Sequence, residues 1–137
     1  MKRVLSVVLM FLLVVSMAVP AQATGTQQIM PRYTYVDFIW ACIDIDTTWG
    51  IATCEGEVAA KEGYLVKTVV HLQAYKNRSW ETIKTWTAED HYSSYVCGSY
   101  AVMSGYTYRA FVIGYIYNSD GAVIEVVSNS HSVDYLV

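Results

Sequence analysis

The stretch Gly105–Gly121, GYTYRAFVIGYIYNSDG, decides the fold. Successive side chains of an extended chain point to opposite sides, and here both sides are apolar or aromatic. Tyr106, Tyr108, Ala110, Val112 and Ile116 fall on one side, and Phe111, Ile113, Tyr115 and Tyr117 on the other. A strand of this kind lies centrally in a sheet, with neither face fully wet. Asn118-Ser119-Asp120-Gly121 then supplies residues that tolerate positive φ, so the next segment, about Ala122 to Ser130, folds back as a hairpin.

Toward the N terminus the alternation recurs every eight to twelve residues or so between turn signals, which is the spacing of a sandwich. Phe38 to Asp46 puts Ile39, Ala41, Ile43 and Ile45 on one face and Trp40, Cys42, Asp44 and Asp46 on the other. Ile51 to Ala59 places Ala52, Cys54, Gly56 and Val58 against the same core, with Thr53, Glu55 and Glu57 outside. After the turn Lys61-Glu62-Gly63, Leu65 to Tyr75 lines up Val66, Thr68, Val70, Leu72 and Ala74. Trp80 to Thr87 breaks the period of two at Trp80, Ile83 and Trp86, which predicts a bulge or a twisted edge. A polar loop is expected at Ala88 to His91, then a fifth strand from Ser94 to Met103. No helical apolar stripe appears, so the fold class is all-β: about seven strands in two antiparallel sheets.

The first residues read as a targeting segment. Lys2 and Arg3 precede an apolar run from Val4 to Val19, and Ala21-Gln22-Ala23 has the small-x-small form that signal peptidase accepts. The run is shorter than the roughly 20 residues that span a bilayer, and Pro20 closes it. Residues 1–23 are therefore expected to be a cleaved signal peptide, 24–34 a flexible leader, and 35–137 the sandwich. The localisation expected is secreted, extracellular.

Gly105, Tyr108, Ala110, Val112 and Gly121 resemble the penultimate strand of fibronectin type III and other immunoglobulin-like domains, where a tyrosine after a glycine-led corner bonds back to backbone. The resemblance implies an antiparallel immunoglobulin-like β-sandwich with Tyr108 as the corner residue. It departs from antibody-type domains, because the third strand has no tryptophan and the central strand no cysteine. The whole chain also resembles small exported proteins of Gram-positive bacteria in which a signal peptide precedes one such sandwich, a likeness that implies no activity. Three cysteines cannot all pair within one molecule. Because the second and fifth strands are neighbours in immunoglobulin-type sheets, the resemblance implies a Cys54–Cys97 bridge as one arrangement; three unpaired thiols are the other.

Removal of the first 23 of 137 residues leaves 114, with seven basic against twelve acidic side chains and a formal charge of −5. Nucleic acid and anionic membrane surfaces would meet repulsion, so neither is expected as a partner. No cofactor is expected: there is no Cys-x-x-Cys or paired histidine for zinc, and Asp44, Asp46, Glu55 and Glu57 on flat strands supply fewer oxygens than calcium draws. His71, His91 and His131 are scattered, with no Gly-x-Ser-x-Gly or His-Glu-x-x-His, so no enzyme is expected.

If Tyr108, Ala110 and Val112 point inward, Arg109, Phe111, Ile113, Tyr115 and Tyr117 point outward as a candidate interaction surface. Val69, Gln73 and Tyr75 are expected on one side of it and Val123, Glu125 and Val127 on the other. Either the chain covers this patch itself, or it is a contact surface for an extracellular protein, a glycan or a second copy. The alternative is a carbohydrate-binding domain with Trp49, Trp80 or Trp86 as a platform. A planar row of exposed tryptophans would favour the platform; a broad mixed apolar face would favour the interaction module.

Overall fold

In the computed structural model, which describes residues 32–136, these alternating segments become two stacked sheets. The strands are β1 (Val36–Asp46), β2 (Ile51–Ala60), β3 (Leu65–Lys76), β4 (Ser79–His91), β5 (Ser93–Ala101), β6 (Tyr106–Tyr117) and β7 (Val123–Tyr135). One sheet has the order β1-β2-β5 and the other β4-β3-β6-β7, with antiparallel pairing throughout. The expected signal peptide and residues 24–31 of the expected leader lie outside the described residues.

The turns follow from their residues. Asn77 and Arg78, at φ 50 and 65, form a two-residue connection of left-handed residues that matches the twist of the β3–β4 hairpin. Asp46 closes the β1–β2 turn, its Oδ1 accepting from the backbone N–H of Thr48 at 2.9 Å. Between the sheets, Ala52, Cys54 and Val58 of β2 meet Val66, Val70 and Leu72 of β3 and Ala110, Val112 and Ile116 of β6, all fully buried. Thr68 and Ser94 are buried polar residues between the sheets, and Thr68 Oγ1 donates to the Ser94 carbonyl at 2.9 Å.

β6 sits between β3 and β7, as its two apolar sides require. Tyr108 is buried at 2 % exposure; its hydroxyl donates to the Met103 carbonyl at 2.6 Å and accepts from the Met103 N–H at 3.2 Å. Tyr108→Phe leaves both backbone groups without that partner and is expected to lower stability by about 1–3 kcal/mol. Urea unfolding at unchanged m-value checks this; a loss below about 0.5 kcal/mol would show that the hydroxyl bonds carry no weight.

Two strand expectations are corrected. β4 does not end at Thr87 but pairs with β3 through His91, so Ala88 to His91 is strand, not loop. The expected irregularity is present: pairing steps from Leu72–Lys84 to Gln73–Thr82, and Ile83 is the extra residue. β7 is longer than expected, reaching Tyr135, and a second step between Ile116–Glu125 and Tyr117–Val123 makes Ile124 an extra residue. Beyond it the faces invert. Val127 is buried, Glu125 turns inward, and Val126, Ser128 and Ser130 take the outer positions beside Tyr115, Ile113 and Phe111. Just ahead of β1 the backbone is bonded to the sandwich. Both oxygens of Glu125 accept backbone N–H groups, from Thr34 and Tyr35, each at 2.8 Å, and Lys61 Nζ donates to the Thr34 carbonyl at 3.1 Å.

The contact between β1 and β7 joins the two sheets at their open corner. After Glu125, Asn129 Nδ2 donates to the Ile39 carbonyl at 3.3 Å, the Ile43 N–H donates to His131 Nδ1 at 3.2 Å, and the Tyr135 hydroxyl donates to the Thr47 carbonyl at 3.4 Å. The partners advance together along both strands, so β1 and β7 run parallel, joined by β7 side chains gripping β1 backbone.

Candidate functional site

The outer face of the four-stranded sheet carries Arg109, Phe111, Ile113, Tyr115 and Tyr117 in one row, each partly buried. Register places Gln73, His71, Val69, Lys67 and Leu65 of β3 alongside, with Tyr75 next on β3, paired to Trp80 of β4. The rings are ordered against one another. Tyr75 meets Trp80 of β4 at a centroid distance of 5.2 Å, the Arg109 guanidinium lies 4.2 Å over Trp80 and 4.9 Å from Phe111, and Phe111 stacks on His71 at 6.4 Å. A guanidinium between two ring faces is held by the ring quadrupoles.

Its edge is held too. Arg109 Nε donates to Gln73 Oε1 at 2.7 Å, and Gln73 Nε2 donates to Thr82 Oγ1 at 3.0 Å. His71 Nδ1 shares a 2.8 Å hydrogen bond with Thr85 Oγ1, and partial burial lowers the ring's proton affinity below its ordinary value of 6.5, favouring the neutral form. Hydroxyl side chains rim the aromatic centre: Thr82, Thr85 and Thr87 on β4, and Ser128, Ser130 and Ser132 on β7. Trp80 thus covers part of the stripe, while Tyr75 at 45 % and Val126 at 55 % remain open.

The tryptophans form no row. Trp49 projects from the β1–β2 turn at 76 % exposure, Trp80 lies under Arg109 on the outer face, and Trp86 points to the opposite side of β4, against Gly98. The histidines do not converge either: His71 is on the outer face, His91 Nδ1 bonds the Gly63 carbonyl at 3.1 Å, and His131 grips β1. Of the carboxylates weighed for calcium, Asp46 serves its own turn, Glu55 accepts from the Tyr95 hydroxyl and Glu57 accepts from Ser93 Oγ at 2.6 Å. Among the described residues no group of three or more His, Cys, Asp or Glu is gathered to hold an ion.

All three cysteines are free thiols, so of the two arrangements the unpaired one is found and the Cys54–Cys97 bridge is not formed. β2 and β5 are neighbours, but the pairing sets Cys54 opposite Gly98 and Cys97 opposite Glu55, so Cys54 faces the core and Cys97 the outside. Cys42 shares that outer face on the far side of Glu55. Burial, then the charges of Cys42 and Cys97, push the Cys54 thiol up to about 12. At pH 8 its thiolate fraction is then on the order of 10⁻⁴, so Cys97 is expected to take up an alkylating reagent at once and Cys54 only on unfolding. Peptide mapping after timed alkylation checks the ranking, and rapid native labelling of Cys54 would contradict its placement.

No family model and no curated protein matches the chain.

Proposed function

We propose that the chain is a secreted, non-catalytic binding module of immunoglobulin-like architecture that recognises protein, a second copy of itself included, through the outer face of β4-β3-β6-β7. The architecture is supported by the Tyr108 corner and by the adjacency of the second and fifth strands. Export is supported by the basic, apolar and small-x-small segments that open the sequence.

The observation that carries the function is the ordered stack of Tyr75, Trp80, Arg109 and Phe111, locked by Gln73. Aromatic and arginine side chains are the anchors of protein interfaces, and holding them in place beforehand removes part of the ordering cost of binding. A patch of roughly 300 Å² at about 25 cal/mol per Å² supplies about 7 kcal/mol of gross drive, much of it consumed by association itself. Weak association, in the micromolar to millimolar range, is the expected outcome.

Ile113→Lys tests it by placing a charge in the middle of the stripe. Sedimentation equilibrium across protein concentrations is expected to show self-association lost, with the unfolding midpoint little changed. Unfolding of the variant would instead make the stripe part of the core and remove the interaction surface.

A further inference from the structure

The aromatic row does not end at the edge of the sheet. Its last residue, Tyr117, and its β3 neighbour Leu65 also line a cleft of about 570 Å³ between the β2–β3 turn and the β6–β7 turn. That volume lies in the range of small-ligand sites, roughly 300–1,000 Å³. Tyr64, Tyr117 and His91 form part of its walls, and Glu62 and Ser119 reach it from the two turns.

The chemistry of the walls is one-sided. Glu62 is the acidic lining residue, and no lysine or arginine lines the cleft. Lys61 Nζ is held by the carbonyls of Tyr33 and Thr34, and Lys67 pairs with Glu89, so neither ammonium is bonded to Glu62. His91 donates Nδ1–H to the Gly63 carbonyl, because a carbonyl only accepts, so that edge of the ring is occupied. Glu62 itself sits at φ +53, a left-handed conformation that glycine or asparagine adopts at lower cost. A cleft lined by one carboxylate and no cationic side chain, and flanked by tyrosine rings, suits a primary ammonium on an apolar stem.

From Arg109 to Tyr117 the row covers eight residue steps, about 27 Å at roughly 3.4 Å per residue, the length of an extended peptide segment. We infer that the partner of this face is an extended polypeptide segment whose lysine side chain enters the cleft. This rests on the proposed interaction face and names the chemistry of its occupant.

The test titrates the isotope-labelled full chain with Nα-acetyl-lysine-methylamide, with the same compound acetylated at Nε, and with glucose, following backbone amide shifts. Lysine amide is expected to shift Glu62, Tyr64 and Tyr117 with low-millimolar affinity, while the Nε-acetylated compound and glucose do not. Glu62→Gln is expected to weaken binding about tenfold, and salt near 0.5 M to weaken it several-fold. Absence of shifts up to roughly 20 mM, equal binding of the acetylated compound, or glucose binding in place of lysine would each overturn the inference. Ile113 lies four residues from Tyr117, about 14 Å along the strand and beyond the roughly 8 Å screening length at physiological salt, so Ile113→Lys is expected to keep the lysine response. Self-association that depends on Ile113 without a lysine response overturns the cleft alone; a lysine response with association indifferent to Ile113 overturns the face on which it rests.

Discussion

Gly56→Val is expected to abolish cooperative folding or to reduce stability by about 3 kcal/mol or more, a large share of the roughly 5–15 kcal/mol that holds a domain together. Gly56 is on the inner face of β2, where an added Cβ would lie 2.7 Å from a methyl of Val70 and 2.7 Å from a methyl of Val112. Both valines are fully buried, and β-branched side chains have little rotameric freedom with which to step aside. Gly114 on β6 repeats the arrangement in the opposite sense, with Val58 filling the space its Cβ would need. Each sheet therefore presents a glycine to a valine of the other, and the sheets approach closely at that point. Relief would require the sheets to part, which loosens every contact around them. Urea unfolding of Gly56→Val is the check. A transition within experimental error of the parent would show that the waist can widen freely.

Trp86→Ala is the second large effect, expected at about 3 kcal/mol, the lower part of the range for core tryptophans because this indole is only partly buried. The ring of Trp86 occupies the place where a Cβ on Gly98 would be, so β4 and β5 are bridged at the corner of the sandwich by one side chain lying on bare backbone. Gly98→Ala is expected to expel the ring and to cost a comparable amount in the parent, yet little more in the Trp86→Ala background. A double-mutant cycle reads this directly, with a coupling of about 2–3 kcal/mol expected between the two changes. Additivity within about 0.5 kcal/mol would mean that ring and glycine do not share the space.

What could be read in the sequence was read where one face of a strand is chemically distinct. β2 and β3 alternate cleanly, and their inward sets, Ala52-Cys54-Val58 and Val66-Val70-Leu72, are the core. The outward direction of Arg109, Phe111, Ile113, Tyr115 and Tyr117 follows from the buried Tyr108 and Ala110 by the same alternation. β7 failed for a physical reason. One extra residue at Ile124 inverts every later side chain, and Ser128-Asn129-Ser130-His131-Ser132 is polar on both sides, so nothing in the pattern marks which face is inner. Of the two cysteine arrangements, three unpaired thiols is the one formed: neighbouring strands do not imply facing side chains, and a register offset of one residue puts Cys54 and Cys97 on opposite faces of the sheet. The cleft was out of reach of any local pattern, since Glu62, His91 and Tyr117 are brought together only by the order of the strands.

The parallel run of β1 beside β7 has a mechanical consequence. The chain enters the sandwich beside Glu125 and leaves it beside Thr47, at opposite ends of that run. Tension applied between residues 32 and 136 is therefore directed along the two strands and slides one past the other. Glu125, Asn129, His131 and Tyr135 then share the load together, whereas a chain pulled away from one end of a hairpin opens its bonds singly. Resistance to such a pull is set by the barrier to unfolding, not by the equilibrium stability. A domain tethered at one terminus and drawn at the other would behave as a tie rod, and its weakest rung is the 3.4 Å bond from Tyr135 to Thr47.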